Sequence, residues 1–258
     1  MEKLRSKDGF ICDMDGVIYH GNLVLEGALD FVNWLQANNK KFLFLTNSSK
    51  LTPKELSQKL ERMGIFVSEE HFYTSALATA EFLANQSPGC SAFVIGDAGL
   101  LNALYERGIT MNDVDPDYVI VGETQNYNYD HIIKAVTLIN KGAKLIGTNY
   151  DLTGPAEQGM IPATRALIAP IELATGKSAY FVGKPNPLIM RTGKKLLGVH
   201  SENAVIIGDN MDTDIIAGME SGIDTVLVLS GVAQAHTPYE YAYRPTYILK
   251  NVGEVITK

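Results

Sequence analysis

The sequence predicts an α/β fold: a doubly wound, Rossmann-like parallel sheet interrupted by an inserted α/β cap domain. Three observations lead there. Short apolar runs bounded by turn residues alternate with helical patterns along the 258 residues, as in a parallel sheet covered by helices. Four of the runs end abruptly in polar, chemically capable residues. The interval between the second and third of those ends is too long for a connection within one compact sheet.

Phe10-Ile11-Cys12 reads as the first buried strand and leads into Asp13-Met14-Asp15-Gly16. A helical pattern follows over about 28–38. Phe42-Leu43-Phe44-Leu45 leads into Thr46-Asn47-Ser48-Ser49, with a helix over about 53–63. Tyr180-Phe181-Val182 leads into Gly183-Lys184-Pro185. Asn186-Pro187 then reads as an N-cap with proline at the first position of a helix over about 187–197. Ala204-Val205-Ile206-Ile207 leads into Gly208-Asp209-Asn210. Asp212-Thr213-Asp214 opens a last helix, where acidic residues suit the dipole, and Ser221-Gly222 ends it. Between these parts lie apolar runs at about 92–95, 118–121 and 144–146, with helical stretches at 100–106 and 131–140. The expected division is a core of residues 1–77 and 181–258 and an insert of 78–180. Ligands of such sheets bind beyond the carboxyl ends of the strands. Asp13, Thr46, Lys184 and Asp209 are therefore expected in one crevice.

Composition narrows the partners. A net charge of −7 does not favour nucleic acid. The first residues are charged and lack the apolar stretch of a signal peptide, and no apolar run approaches the roughly 20 residues needed to span a membrane. Two cysteines, Cys12 and Cys90, offer no zinc or haem spacing and fit a reducing cytoplasm. The expected partner is a small molecule, and an exposed sheet in the insert could pair into a homodimer.

Asp13 and Asp15 straddle Met14 just after a strand, and Asp209, Asp212 and Asp214 form a second acidic cluster. Brought together, up to five carboxylates would repel one another and any phosphate, and their pKa values would rise. A hard divalent cation resolves both conflicts, and oxygen-only ligands point to Mg²⁺. Lys184 supplies a positive point charge suited to phosphate. Thr46, Asn47 and Ser48 offer hydroxyl, amide and backbone donors to phosphate oxygens, or a helix cap. An aspartate carboxylate is ionised at neutral pH and can form an acyl phosphate. Asp15 is placed to protonate a leaving alcohol and then activate water. The chemistry these residues suit is phosphoryl transfer.

Asp13-Met14-Asp15-Gly16-Val17, Thr46-Asn47-Ser48, Lys184 and Gly208-Asp209-Asn210-Met211-Asp212-Thr213-Asp214 together resemble the four motifs of the haloacid dehalogenase superfamily, in order and in strand-end context. The long insert resembles the α/β cap of subfamily IIA, the NagD-like and 4-nitrophenyl phosphate phosphatase group. The resemblance implies an Mg²⁺-dependent phosphatase of small phosphate monoesters that works through an aspartyl-phosphate intermediate. It implies Asp13 as nucleophile and metal ligand, and Asp15 as general acid and base, binding metal through its backbone carbonyl. Asp209 becomes a further ligand and Asp214 a support of the metal shell. Thr46, Asn47, Ser48, Lys184 and Asn210 are the expected phosphate-binding set. Asp15 also separates the chain from the metal-free dehalogenases of the superfamily.

Ser48 stands where many members have Asn, and Arg165 where relatives often have Gly. The turn Gly122-Glu123-Thr124 lacks an expected aspartate. Segment 149–165 is rich in Gly and Pro and reads as an irregular loop, the candidate for contact with the leaving group. Arg165 within it could pair with a second anionic group of a substrate.

Three other readings fit parts of the pattern. A phosphotransferase or mutase would share the aspartyl-phosphate step. A receiver module phosphorylated on aspartate would be about half this length. A nucleotide-binding oxidoreductase would need a G-x-G-x-x-G after the first strand, which the chain lacks.

Overall fold

The computed structural model describes residues 1–156 and 159–257. The chain forms two compact units, one of residues 1–46, 56–73 and 184–258, the other of residues 47–55 and 74–183. The second unit thus extends a few residues beyond 78–180 at either end and also takes in 47–55. Hydrogen bonds account for that short segment. Ser75 Oγ and Asn149 Nδ2 both donate to the Asn47 carbonyl, at 2.6 and 2.7 Å, and the Gly99 N–H donates to the Lys50 carbonyl at 2.9 Å.

The first unit is built on a six-stranded sheet in the order Tyr247–Leu249, Asp224–Val228, Ala204–Gly208, Gly9–Cys12, Lys41–Thr46, Phe72–Thr74. Gly9–Cys12 pairs in parallel with Ala204–Gly208 on one side and with Lys41–Thr46 on the other. Both Gly9–Cys12 and Ala204–Gly208 are buried at every position, as strands covered on both faces must be. Phe10 packs edge-on against Phe31 and Trp34 of the helix Ala28–Ala37. Chain order runs outward from Gly9–Cys12 in one direction and then restarts beside it with Ala204–Gly208. The junction of these two strands is the topological switch point of the sheet, where ligands of such folds bind.

The second unit holds a five-stranded sheet in the order Tyr180–Phe181, Lys144–Gly147, Tyr118–Val121, Ser91–Ile95, Thr110–Met111. Its pairs are parallel. Val119, Val121 and Leu145 pack there against Ala135, Leu138, Ile139, Leu167, Ile168 and Ile171 of the helices Tyr129–Lys141 and Thr164–Thr175.

Three expectations are corrected. Tyr180–Phe181 pairs with Lys144–Gly147 in the second sheet and does not join the first. Both edges of Gly9–Cys12 are already taken, so Lys184 enters the first unit by the turn ahead of the helix Pro187–Leu197. Segment 149–165 is not irregular throughout. Thr153–Ala156 and Gly159–Pro162 pair antiparallel, and residues 157 and 158 lie outside the described set. Glycine and proline masked the strand signal there, and an isolated two-stranded pair tolerates both. The last helix opens with a π-helical turn, Met211–Ile215, before the α-helix Ile216–Glu220.

The strands Phe72–Thr74, Asp224–Val228 and Tyr247–Leu249 and the helix Ser75–Gln86 were not anticipated. No described helix is long and apolar enough to cross a membrane.

Candidate active site

Asp13 follows directly on the strand Gly9–Cys12, and its N–H continues the parallel pairing by donating to the Ile207 carbonyl at 2.9 Å. Asp209 follows directly on the neighbouring strand. Adjacent parallel strands therefore bring together two carboxylates that are far apart in sequence. Asp214 joins them from the π-helical turn, whose wider winding carries the N–H groups of both Asp214 and Ile215 to the Asn210 carbonyl, at 3.0 and 3.2 Å. Asp13, Asp209 and Asp214 each offer an oxygen within 4.8 Å of the others. Asp214 is fully buried and Asp209 is 5% exposed.

Lys184 is buried at 1% exposure, with Nζ 2.9 Å from Asp13 Oδ1 and 2.7 Å from Asp214 Oδ1. Burial alone would push its pKa down, but the two carboxylates outweigh burial and hold the ammonium above its ordinary range. Burial pushes Asp13 up to about 7, with Lys184 opposing and the charge of Asp214 adding to the rise. Asp209 is raised well above the carboxylate range, first by burial and then by repulsion from Asp13 and Asp214. Among the described residues, Lys184 is the one cation paired within 4.0 Å with any of these carboxylates, and it meets Asp13 and Asp214. Three acidic groups, two of them paired with one ammonium, leave an excess of negative charge in a largely buried place. The donor set is oxygen only, so it fits a hard divalent cation.

Asp15 lies beside this triad in sequence but faces different partners. His20 Nδ1 is 3.3 Å from Asp15 Oδ1. Burial raises the Asp15 pKa, with His20 and then Lys59 opposing. Lys59 itself rests over the Tyr19 ring at 3.8 Å. Asp212 is exposed and accepts a hydrogen bond from Tyr241 at 2.7 Å. Positions two apart on a helical turn do not share a face, so Asp214 enters the cluster and Asp212 does not. The five-carboxylate site expected from sequence is thus a three-carboxylate cluster with Asp15 alongside.

Thr46 ends its strand and is buried. The Asn210 side chain caps the π-helical turn, accepting from the Asp212 N–H at 2.9 Å. Asn47 and Ser48 belong to the second unit. There Asn47 Nδ2 donates to Asp151 at 3.0 Å, and Ser48 Oγ donates to Glu123 at 3.0 Å. Arg165 is committed locally as well. Nη1 lies 2.7 Å from Glu172 Oε2, and the guanidinium sits against the rings of Tyr150 and Phe181. The sequence reading missed His20, Lys59 and the segment Ser230-Gly231-Val232-Ala233. The last of these carries no charge, so only tertiary contact reveals it.

A Rossmann-like core with clustered aspartates and a buried lysine at its switch point defines the class, a haloacid dehalogenase-like hydrolase. Comparison with known proteins agrees. The haloacid dehalogenase-like hydrolase model matches residues 10–110, and a second model of HAD-hydrolase-like proteins matches 181–255. The chain is 42% identical over 246 residues to a dihydroxyacetone phosphatase of Corynebacterium glutamicum, covering 95% of this chain and 90% of that one. The solved structure of NagD from Escherichia coli K-12 superposes with a TM-score of 0.90 at 41% identity, over 97% of this chain and 100% of the other. A 4-nitrophenylphosphatase from Thermotoga maritima gives 0.93 at 32% identity, over 98% and 97%. The chain belongs to the NagD-like group, subfamily IIA, of the haloacid dehalogenase superfamily, and it is a hydrolase of phosphate monoesters.

Proposed function

We propose that the chain is an Mg²⁺-dependent phosphatase of small phosphate monoesters that uses Asp13 as its nucleophile. The observation that carries this reading is the cluster of Asp13, Asp209 and Asp214, with the buried Lys184 paired to the first and the last. Asp13, Asp209, Asp214 and the Asp15 carbonyl would hold the cation, which when bound neutralises phosphate charge and keeps the carboxylates ionised. A carboxylate oxygen of Asp13 attacks phosphorus in line as the ester oxygen departs with a proton from Asp15. The resulting aspartyl phosphate is cleaved by water, which returns a proton to Asp15 and releases inorganic phosphate. Lys184, Thr46, Asn47 and Ser48 are assigned to the phosphoryl oxygens, while the Asn210 side chain, expected among them from sequence, is assigned to capping the π-helical turn. The Lys184 ammonium already lies 2.9 Å from Asp13, which supports its part in that set.

The names of relatives point to the substrate class: dihydroxyacetone phosphate, ribonucleotide monophosphates, sugar phosphates and 4-nitrophenyl phosphate. We infer a small, soluble ester of this kind, handled in the cytoplasm by a chain that binds neither nucleic acid nor membrane and could act as a homodimer. The test is hydrolysis of a panel of such esters with Mg²⁺ and with EDTA, using wild type and Asp13→Asn. Wild type should turn over with Mg²⁺, EDTA should abolish turnover, and the variant should fall below a tenth of wild-type kcat while remaining folded. Full activity in EDTA, or a variant above that limit, refutes the mechanism. Transfer of the phosphoryl group to an added alcohol in preference to water would favour the phosphotransferase reading.

A further inference from the structure

We propose that the segment Ser230-Gly231-Val232-Ala233 is a positioning clasp that sets Asp209 and the Asp15-Gly16 turn in register for cation binding, with Ser230 as its key side chain. The inference rests on the metal-dependent reading above.

Four independent contacts converge on this segment. The Val232 N–H donates to Asp209 Oδ2 at 2.7 Å. The Ala233 N–H donates to the Asp209 carbonyl at 3.0 Å. Side chain and main chain of one residue are therefore both gripped, which removes rotation about its χ angles as well as movement of its backbone. Ser230 Oγ reaches across and donates to the Gly16 carbonyl at 2.7 Å. Finally, a Cβ at Gly231 would lie 1.9 Å from Asp209 Oδ2, and one at Gly16 would lie 2.2 Å from the same oxygen. Asp209 is held between two glycine backbones that leave no room for a methyl group. At Gly16 the φ of +76° excludes other residues on conformational grounds too.

The physical consequence is pre-organisation. A carboxylate among other carboxylates, each of which it repels, turns away unless something holds it. The Val232 N–H takes one oxygen of Asp209 and fixes its direction. Ser230 ties the same loop to the residue next to Asp15, so the acidic turn and Asp209 move as one body. Groups that hydrogen-bond a metal's ligands commonly set affinity by 10–100-fold, and Ser230 acts one bond further out, through the turn that carries the Asp15 carbonyl, so the low end of that range applies. The segment itself touches no reacting atom in this scheme, so Ser230 is a positioning residue.

The test is Mg²⁺ binding by calorimetry and Mn²⁺ binding by electron paramagnetic resonance, on wild type, Ser230→Ala and Ser230→Thr. Thermal melts of the metal-free proteins accompany them. Ser230→Ala should weaken both cations by about tenfold while the metal-free melt stays close to wild type. Ser230→Thr keeps the hydroxyl and should restore affinity to within a few fold. Wild-type affinity in Ser230→Ala, or a loss that Ser230→Thr does not restore, overturns the clasp. A wild type that binds neither cation overturns the metal reading itself, so the two failures are distinguishable.

Discussion

At the scale of single residues, Lys184 has most to do. Its ammonium is buried between Asp13 and Asp214, so it balances charge in the resting protein before any phosphate arrives. Removing one partner of a buried ion pair leaves an uncompensated charge and commonly costs about 3–5 kcal/mol. Lys184→Met should therefore lower the urea-unfolding free energy near pH 7 by an amount of that order, and also cut kcat/KM well beyond threefold. A stability loss under about 1 kcal/mol would mean that the carboxylates do not depend on this cation. Arg165 makes a contrasting case. Its charge meets Glu172 at 2.7 Å and its plane meets two aromatic rings, contacts that give it an anchoring job in the second unit. Arg165→Ala should cost about 1 kcal/mol in stability through lost packing and a partly exposed pair. It should raise KM equally for esters with and without a second anionic group. A selective rise for the doubly anionic ester would restore the arginine as a specificity residue.

At the scale of elements, the π-helical turn Met211–Ile215 decides which acidic residue reaches the site. Such turns break the regular α-helical rotation and recur at functional sites. Asn210 stabilises its start by accepting from the Asp212 N–H, and the Asn210 N–H in turn donates to Asp214 Oδ2 at 3.2 Å. Loss of an N-cap side chain typically costs about 1 kcal/mol. Asn210→Ala should show that loss in a denaturant melt with a KM for 4-nitrophenyl phosphate within threefold of wild type. A much larger rise in KM would assign the amide to the phosphoryl group directly. Tyr243 supports the same turn by donating to the Met211 carbonyl at 2.9 Å, so the turn is braced from outside as well as capped at its start.

At the scale of the whole molecule, charge and cation binding are linked. With no cation bound, the folded Asp13 titrates at about 7, against an ordinary value of 3.8. Between those values the folded state holds a proton that the unfolded state has released. Metal-free stability should therefore fall as pH rises from about 4 to about 7. A cation needs the ionised carboxylates, so its binding expels such protons. Adding Mg²⁺ at about pH 6 in weak buffer should release protons, the apparent affinity should rise toward about pH 8, and saturating Mg²⁺ should remove the decline in stability. Proton release is read by an indicator dye and stability by thermal melts across pH. Absence of release at pH 6 would contradict the raised Asp13.

The chain crosses from the first unit to the second after Thr46 and after Tyr73, and Leu56 and Lys184 are the first residues after each return. Two of these crossings fall within motifs that sequence alone singled out, at Thr46-Asn47 and Gly183-Lys184. The α/β class, the strand ends that carry Asp13, Thr46 and Asp209, and the acidic residues able to hold a cation are all legible in the chain itself. Those features are local: an apolar run, a turn and a charge can be read from neighbours in the chain. The sequence also marked Lys184, although it placed that residue after a strand of the wrong sheet. Strand partnership depends on which edges remain open, and no run of residues states that. Only the tertiary structure decided that Asp214 joins the cluster while Asp212 faces Tyr241, because the choice turns on the winding of one helical turn. Only it committed Arg165 to Glu172, paired Thr153–Ala156 with Gly159–Pro162, and brought Ser230 to Gly16 across more than two hundred residues. Contacts of that range are made by packing, and an uncharged serine leaves no trace of them in the sequence.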